Sequence, residues 1–128
     1  MSNSHLKALY NSYPSGYAFE ISKINEAMGA FSGSYVKHKS ATEQISGYFG
    51  FNKEKQQTDL VFETSTEKFV MMAAYRSGET YFETWHGTRT SKVNGNDVQP
   101  LEFNVDLSGE SRSWFGQVGS HYSGGEDL

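Results

Sequence analysis

Apolar residues return at every second position in one short run after another, and that two-residue period constrains this chain more than any other feature. In SGYAFEIS, Tyr17, Phe19 and Ile21 fall on one face, with Ala18, Glu20 and Ser22 on the other. AFSGSYVKH aligns Phe31, Gly33 and Tyr35, and EQISGYFGF aligns Ile45, Gly47, Phe49 and Phe51. Successive side chains of a strand point to opposite faces, so each run reads as a strand with one face on a core. TDLVFETS and EKFVMMAAYR follow the polar NKEKQQ and meet at Ser65 and Thr66 like the arms of a hairpin. SGET turns the chain into YFETWHGTRTS, and SRSWFGQVGSHYS reads as the last strand. With a first strand in LKALYNSY the count reaches eight.

Eight consecutive antiparallel strands can close into an up-and-down β-barrel, which leaves no sheet edge and an interior wide enough for one small ligand. The 9 Phe, 8 Tyr and 2 Trp suit a pleated, half-buried surface, and 13 Gly against 2 Pro supply its turns and bulges. The expectation is one all-β domain over residues 1–128, with 92–112 a long loop or flap and 123–128 a frayed tail. Within that flap PLEFNVDL also fits a further strand. An α+β barrel or cone with short N-terminal helices is the rival. SHLKALYNSY has apolar residues at helical spacing, and Ser22 can cap a helical turn in SKINEAM.

Several function classes drop out. No cysteine means neither a disulfide frame nor a thiolate metal site. A net charge of −4 argues against general nucleic-acid binding, which depends on many phosphate-neutralising cations, and the lysines of KHK and NKEK read as solvated charges. No run approaches the roughly 18 to 20 apolar residues that cross a bilayer as a helix, and the start lacks a signal-peptide pattern. A soluble cytoplasmic protein with no membrane partner is expected. The histidines at 5, 38, 86 and 121 lack metal-ligand spacing, and no phosphate loop or nucleophile elbow occurs. Glu20, Glu63, Glu67 and Glu83 fall in or beside strands, where a solvated outer face is the plain reading and an inward acid/base pair the sharper one.

In sequence order, LYNSYPSGYAFEIS, GAFSGSYVKH, EQISGYFGF, YFETWHGTRTS and SWFGQVGSHYSG resemble the landmark strands of the avidin and streptavidin family. The resemblance implies an eight-stranded barrel that binds biotin, or a related cyclic carbonyl-bearing ligand, at its open end. It also implies pairing of the outer sheet faces into a homodimer or homotetramer. In that family an Asn and a Ser four residues apart, with a Tyr of the third strand, hold the ureido oxygen of biotin; here Asn11, Ser15 and Tyr35 match. Three donors on one carbonyl oxygen would act as an oxyanion hole does. Trp85 resembles the wall of the site, Phe69 an aromatic at the start of the sixth strand, and Trp114 a residue that closes a neighbouring subunit's site.

Departures weaken the expected affinity. Leu9 stands where the family has Trp, and Phe62 or Leu60 replaces another. Lys37 takes the place of a Ser/Thr acceptor although an ammonium only donates, and His121 replaces an Asp or Asn. The family's Ser/Thr contact to the ligand sulfur falls near Ser65, with Glu67 close by. Binding weaker than that of typical avidins is expected, with no cofactor and no catalytic group. A second reading makes the barrel a small isomerase or cyclase with His121, Lys37, Glu67 and Tyr35 as acid/base groups. A third fills the barrel and leaves no cavity.

Overall fold

A computed structural model describes residues 8–74 and 82–115. Among these, eight antiparallel strands close into a barrel in sequence order. They are β1 (Leu9–Ser12), β2 (Tyr17–Asn25), β3 (Ala30–Lys37), β4 (Glu43–Asn52), β5 (Gln57–Glu63), β6 (Glu67–Ala74), β7 (Thr84–Ser91) and β8 (Val98–Val105). The ring shuts where β1 pairs with β8, Tyr10 opposite Val105 and Asn11 opposite Asn104. The expected all-β barrel is therefore the fold.

Two expectations change and one alternative falls. The eighth strand is Val98–Val105, inside the stretch expected as a loop or flap and in line with the strand that PLEFNVDL also fits, and the described part of SRSWFGQVGSHYS is a 3-10 helix over Glu110–Trp114. The N-terminal helices of the rival fold are not formed among the described residues. Leu9–Ser12 is β1, and Ser22 to Asn25 end β2, where the ladder with β3 slips between Ile21 and Lys23. The slip is a β-bulge, and the Ser22 hydroxyl bonds across it to the Ser32 carbonyl at 3.4 Å. The turn that follows suits a hairpin and not a helix, because Asn25 Oδ1 accepts from the Met28 amide and Gly29 takes a left-handed φ of 62°.

Alternation decides what lies inside. Tyr10, Phe19, Phe62, Phe69, Trp85 and Phe103 are fully buried and fill the barrel with rings. Phe62 stacks on Phe69 with centroids 4.7 Å apart and meets Phe19 at 5.0 Å, and Phe19 meets Phe103 edge-on at 4.8 Å. Gly33 and Gly87 take inward positions on β3 and β7 and let neighbouring strands close in. A Cβ on Gly33 would stand 1.8 Å from the Glu20 carbonyl oxygen, and one on Gly87 1.9 Å from that of Val70.

The outer face of β1, β2 and β3 is covered by the C-terminal strap. Leu9, Ala18 and Val36 form a second apolar cluster with Trp114 and Phe115. Asp106 organises the strap by accepting from the Ser111 hydroxyl at 2.6 Å, the Ser111 amide at 2.7 Å, the Ser108 hydroxyl at 2.8 Å and the Gly109 amide at 2.9 Å. Burial raises its pKa, but these donors outweigh burial and hold the carboxyl well below the usual range. Arg112 adds a two-pronged bond to Glu20, with both N···O distances 2.9 Å.

Candidate functional site

In an up-and-down barrel alternate turns share an end. The β1–β2, β3–β4, β5–β6 and β7–β8 turns thus rim one mouth. At this end the inward phase of the strands changes from rings to polar groups. On β7 the residues facing inward are Trp85, Gly87 and then Arg89; on β6 Phe69 is preceded by Glu67. Gln99 lies opposite Arg89 on β8.

Tyr35, Glu67, Arg89 and Asp97 form one connected cluster, with a Gln99–Ser15 pair beside it. The Tyr35 hydroxyl donates to Glu67 Oε1 at 3.0 Å, and Arg89 Nε donates to Glu67 Oε2 at 2.7 Å. Arg89 Nη2 reaches Asp97 Oδ2 in the β7–β8 turn at 3.3 Å. The Glu67 and Arg89 side chains are only 14% and 12% exposed, whereas Asp97 is 54% exposed, so the inner pair carries most of the electrostatic weight. Gln99 Nε2 donates to the Ser15 hydroxyl oxygen at 3.4 Å, and Lys37 Nζ stands 5.7 Å above the Tyr17 ring. Tyr17 in turn stacks on Tyr35 at 6.1 Å.

Local chain chemistry presents Glu67. The Thr64 hydroxyl accepts from the amides of Thr66 and Glu67 at 3.2 and 3.0 Å, which fixes the β5–β6 turn and starts β6 in phase. Burial, with the Glu67 carboxylate adding to it, pushes the Tyr35 hydroxyl far above the ordinary phenol range. Tyr17 is raised for the same two reasons in the same order. Both phenols stay protonated at neutral pH, so they offer donors and not bases. The bond to Glu67 is the largest cause that raises Arg89, which is a permanent cation here.

The residues expected from sequence are dispersed. Tyr35 and Lys37 reach the mouth, and Ser15 rims it through Gln99. Asn11 shares the outward phase of Leu9, and its Nδ2 donates to Ser111 Oγ of the strap at 3.3 Å. Asn11, Ser15 and Tyr35 thus have three separate partners and do not converge on one point. Ser65 lies in the β5–β6 turn, where its amide and hydroxyl donate to the Glu43 carboxylate at 3.0 and 3.2 Å.

Phe69 and Trp85 are core side chains. Trp85 meets Phe82 at 5.0 Å and Tyr10 at 6.1 Å. The buried Trp85 indole N–H makes no hydrogen bond of good geometry, although Tyr10 lies near enough to feel it electrostatically. Trp114 belongs to the strap and not to a strand, held between His38 at 4.8 Å and Tyr13 at 5.8 Å. His121 lies outside the described residues.

Sequence reasoning missed Arg89 and Asp97 as members of this cluster, and Gln99 beside it. The signal was the phase itself, because Arg89 sits two positions beyond Gly87 and four beyond Trp85 on the inward face. An inward cation near a strand end needs a buried partner, and Glu67 is the carboxylate on the matching phase of β6.

Among the described residues no group of three or more His, Asp or Glu side chains is placed to hold a metal ion. No helix among them is long and apolar enough to cross a membrane. Comparison with known proteins gives no match among family models, curated proteins or solved structures.

Proposed function

We propose that the protein binds a small molecule with an uncharged cyclic carbonyl-bearing ring, biotin through its ureido ring or a simpler cyclic urea, against the polar mouth of the barrel. The observation that carries this reading is the balance of the mouth: two cations, Lys37 and Arg89, and two carboxylates, Glu67 and Asp97, around two protonated tyrosines. A lining that both donates and accepts, with its own charges balanced, suits an uncharged ring whose N–H and C=O groups lie side by side. In this arrangement Glu67 accepts from ligand N–H, while Lys37 and Ser15 donate to its carbonyl oxygen. Tyr35 holds the Glu67 carboxylate in place.

Isothermal titration with biotin and with imidazolidinone tests the reading. Lys37→Met and Tyr35→Phe are each expected to weaken binding by about 10- to 100-fold, since a hydrogen bond to a charged group contributes about 1.5–3 kcal/mol. Lys37 is exposed, so its variant folds normally and separates lost binding from lost structure. Absence of saturable heat with either ligand overturns the reading.

The same protein is proposed to pair with a second copy through the outer face of β4 to β8. Cross-strand register places Tyr48, Val61, Val70, Thr88 and Pro100 in one continuous outward row. Tyr48 is 66% and Val70 41% exposed, in contrast to the opposite side, where the strap covers the apolar face. Val61 pairs with Val70 and Glu63 with Lys68 between β5 and β6. A two-fold axis parallel to these strands therefore sets Val61 over Val70 of the second copy and each Glu63 over a Lys68. Sedimentation is expected to show a dimer that Val70→Glu dissociates; a wild-type monomer at all concentrations overturns it.

A further inference from the structure

The β7–β8 turn carries the sequence Asn94-Gly95-Asn96-Asp97, with Asn94, Gly95 and Asn96 exposed. Asn94 Oδ1 accepts from the Asn96 amide at 3.1 Å, which curls the side-chain carbonyl back over the Gly95 nitrogen. That hydrogen bond also polarises the Asn94 amide carbon towards attack. The Asn94 backbone N–H donates to the Ser91 hydroxyl oxygen at 3.1 Å, so the turn is pinned at both ends. The Gly95 N–H, by contrast, has no partner among the described residues. A Cβ on Gly95 would meet nothing within 4 Å, so no side chain or neighbouring strand crowds that side of Gly95.

We infer that Asn94 is a self-modification site at which the chain converts its own amide to a carboxylate. The Gly95 nitrogen attacks Asn94 Cγ, and the new N–C bond displaces ammonia, which carries away the Gly95 amide proton. Water then opens the cyclic imide at either carbonyl and leaves aspartate or isoaspartate; no oxidant or reductant takes part. Because the attacking amide must lose its proton, the conversion accelerates as pH rises.

The site acts on the mouth through the turn it belongs to. The Asp97 amide donates to the Asn94 carbonyl at 2.9 Å, the Ser91 amide donates to the Asp97 carbonyl at 3.0 Å, and Asp97 holds the outer side of Arg89. An isoaspartate adds a methylene to the main chain within this turn and displaces the carbonyl that Asp97 depends on. Conversion to isoaspartate therefore releases Asp97 while the Glu67 bond retains Arg89.

Ageing the purified full chain at mildly alkaline pH, followed by mass spectrometry of the tryptic peptide spanning 93–112, reads the site directly. That peptide also contains Asn96 and Asn104 as internal controls. The expected result is conversion at Asn94 to a mixture of aspartate and isoaspartate with the other two amides retained. Gly95→Ala, at a position where the added methyl is free, is expected to abolish it. Hydrogen exchange at the Asp97 amide should be faster in the converted protein, which its extra negative charge allows to be separated. Retention of the Asn94 amide in the folded chain while a urea-denatured sample converts overturns the inference. Unchanged exchange at Asp97 overturns its link to the mouth.

Discussion

Gly33→Ala is expected to cost about 3 kcal/mol or more, a large share of the about 5–15 kcal/mol that holds a domain of this size folded. The added methyl would lie 1.8 Å from the Glu20 carbonyl oxygen, 2.9 Å from its carbonyl carbon and 3.1 Å from Ile21 Cα. All three are backbone atoms of β2, so no side chain can swing aside. Relief requires β2 and β3 to part, which would break the ladder beside the bulge at Ile21 and Lys23. Gly50 on β4 is the control. Nothing lies within 4 Å of its added Cβ, so Gly50→Ala should change stability by no more than about 0.5 kcal/mol. Urea unfolding measures both. Equal midpoints for Gly33→Ala and the wild type would show that the strands do not approach as closely as this.

Strands β2 to β6 were legible because their inward residues are mostly rings and aliphatics at two-residue spacing, as in Tyr17, Phe19 and Ile21, whereas β7 shows only Trp85 on that face. For β8 the sequence leaves a strand and a flap both open in PLEFNVDL, because Pro100 lacks the N–H that a paired strand needs; the strand is what forms. The barrel accommodates it because β1 pairs with β8 only at Asn104 and Val105, and Pro100 has a paired strand, β7, on one side alone. The strap was misread as a strand because Trp114 and Phe115 are apolar wherever they pack; only Asp106 and Gly109, with its φ of 77°, betray the turn that lifts the chain onto the outer face. At the mouth, sequence singled out Tyr35 and Lys37 but not Arg89, whose partner Glu67 lies 22 residues away. Such a pair is visible in sequence only once the inward phase of both strands is known.

Phe62→Ala should destabilise the protein by about 3–5 kcal/mol, the range for deleting a buried aromatic ring, and thereby decides what the interior is for. Phe62 is 1% exposed and meets Phe19, Phe31, Tyr35 and Phe69 at centroid distances of 5.0, 6.2, 6.3 and 4.7 Å. Removing it would leave four rings from three other strands without their common neighbour. Phe62→Leu keeps most of the volume and should cost less than about 1.5 kcal/mol. Phe51, 51% exposed at the end of β4, should tolerate alanine within about 0.5 kcal/mol. In a barrel that kept its interior as a ligand cup, truncating a wall ring would change affinity far more than stability. A large loss of stability with Phe62→Ala, and a small one with Phe62→Leu, instead marks the interior as a packed core. Recognition is then left to the Tyr35, Glu67 and Arg89 cluster at the mouth, where the rings give way to charges. A Phe62→Ala protein as stable as the wild type would return the ligand to the barrel interior.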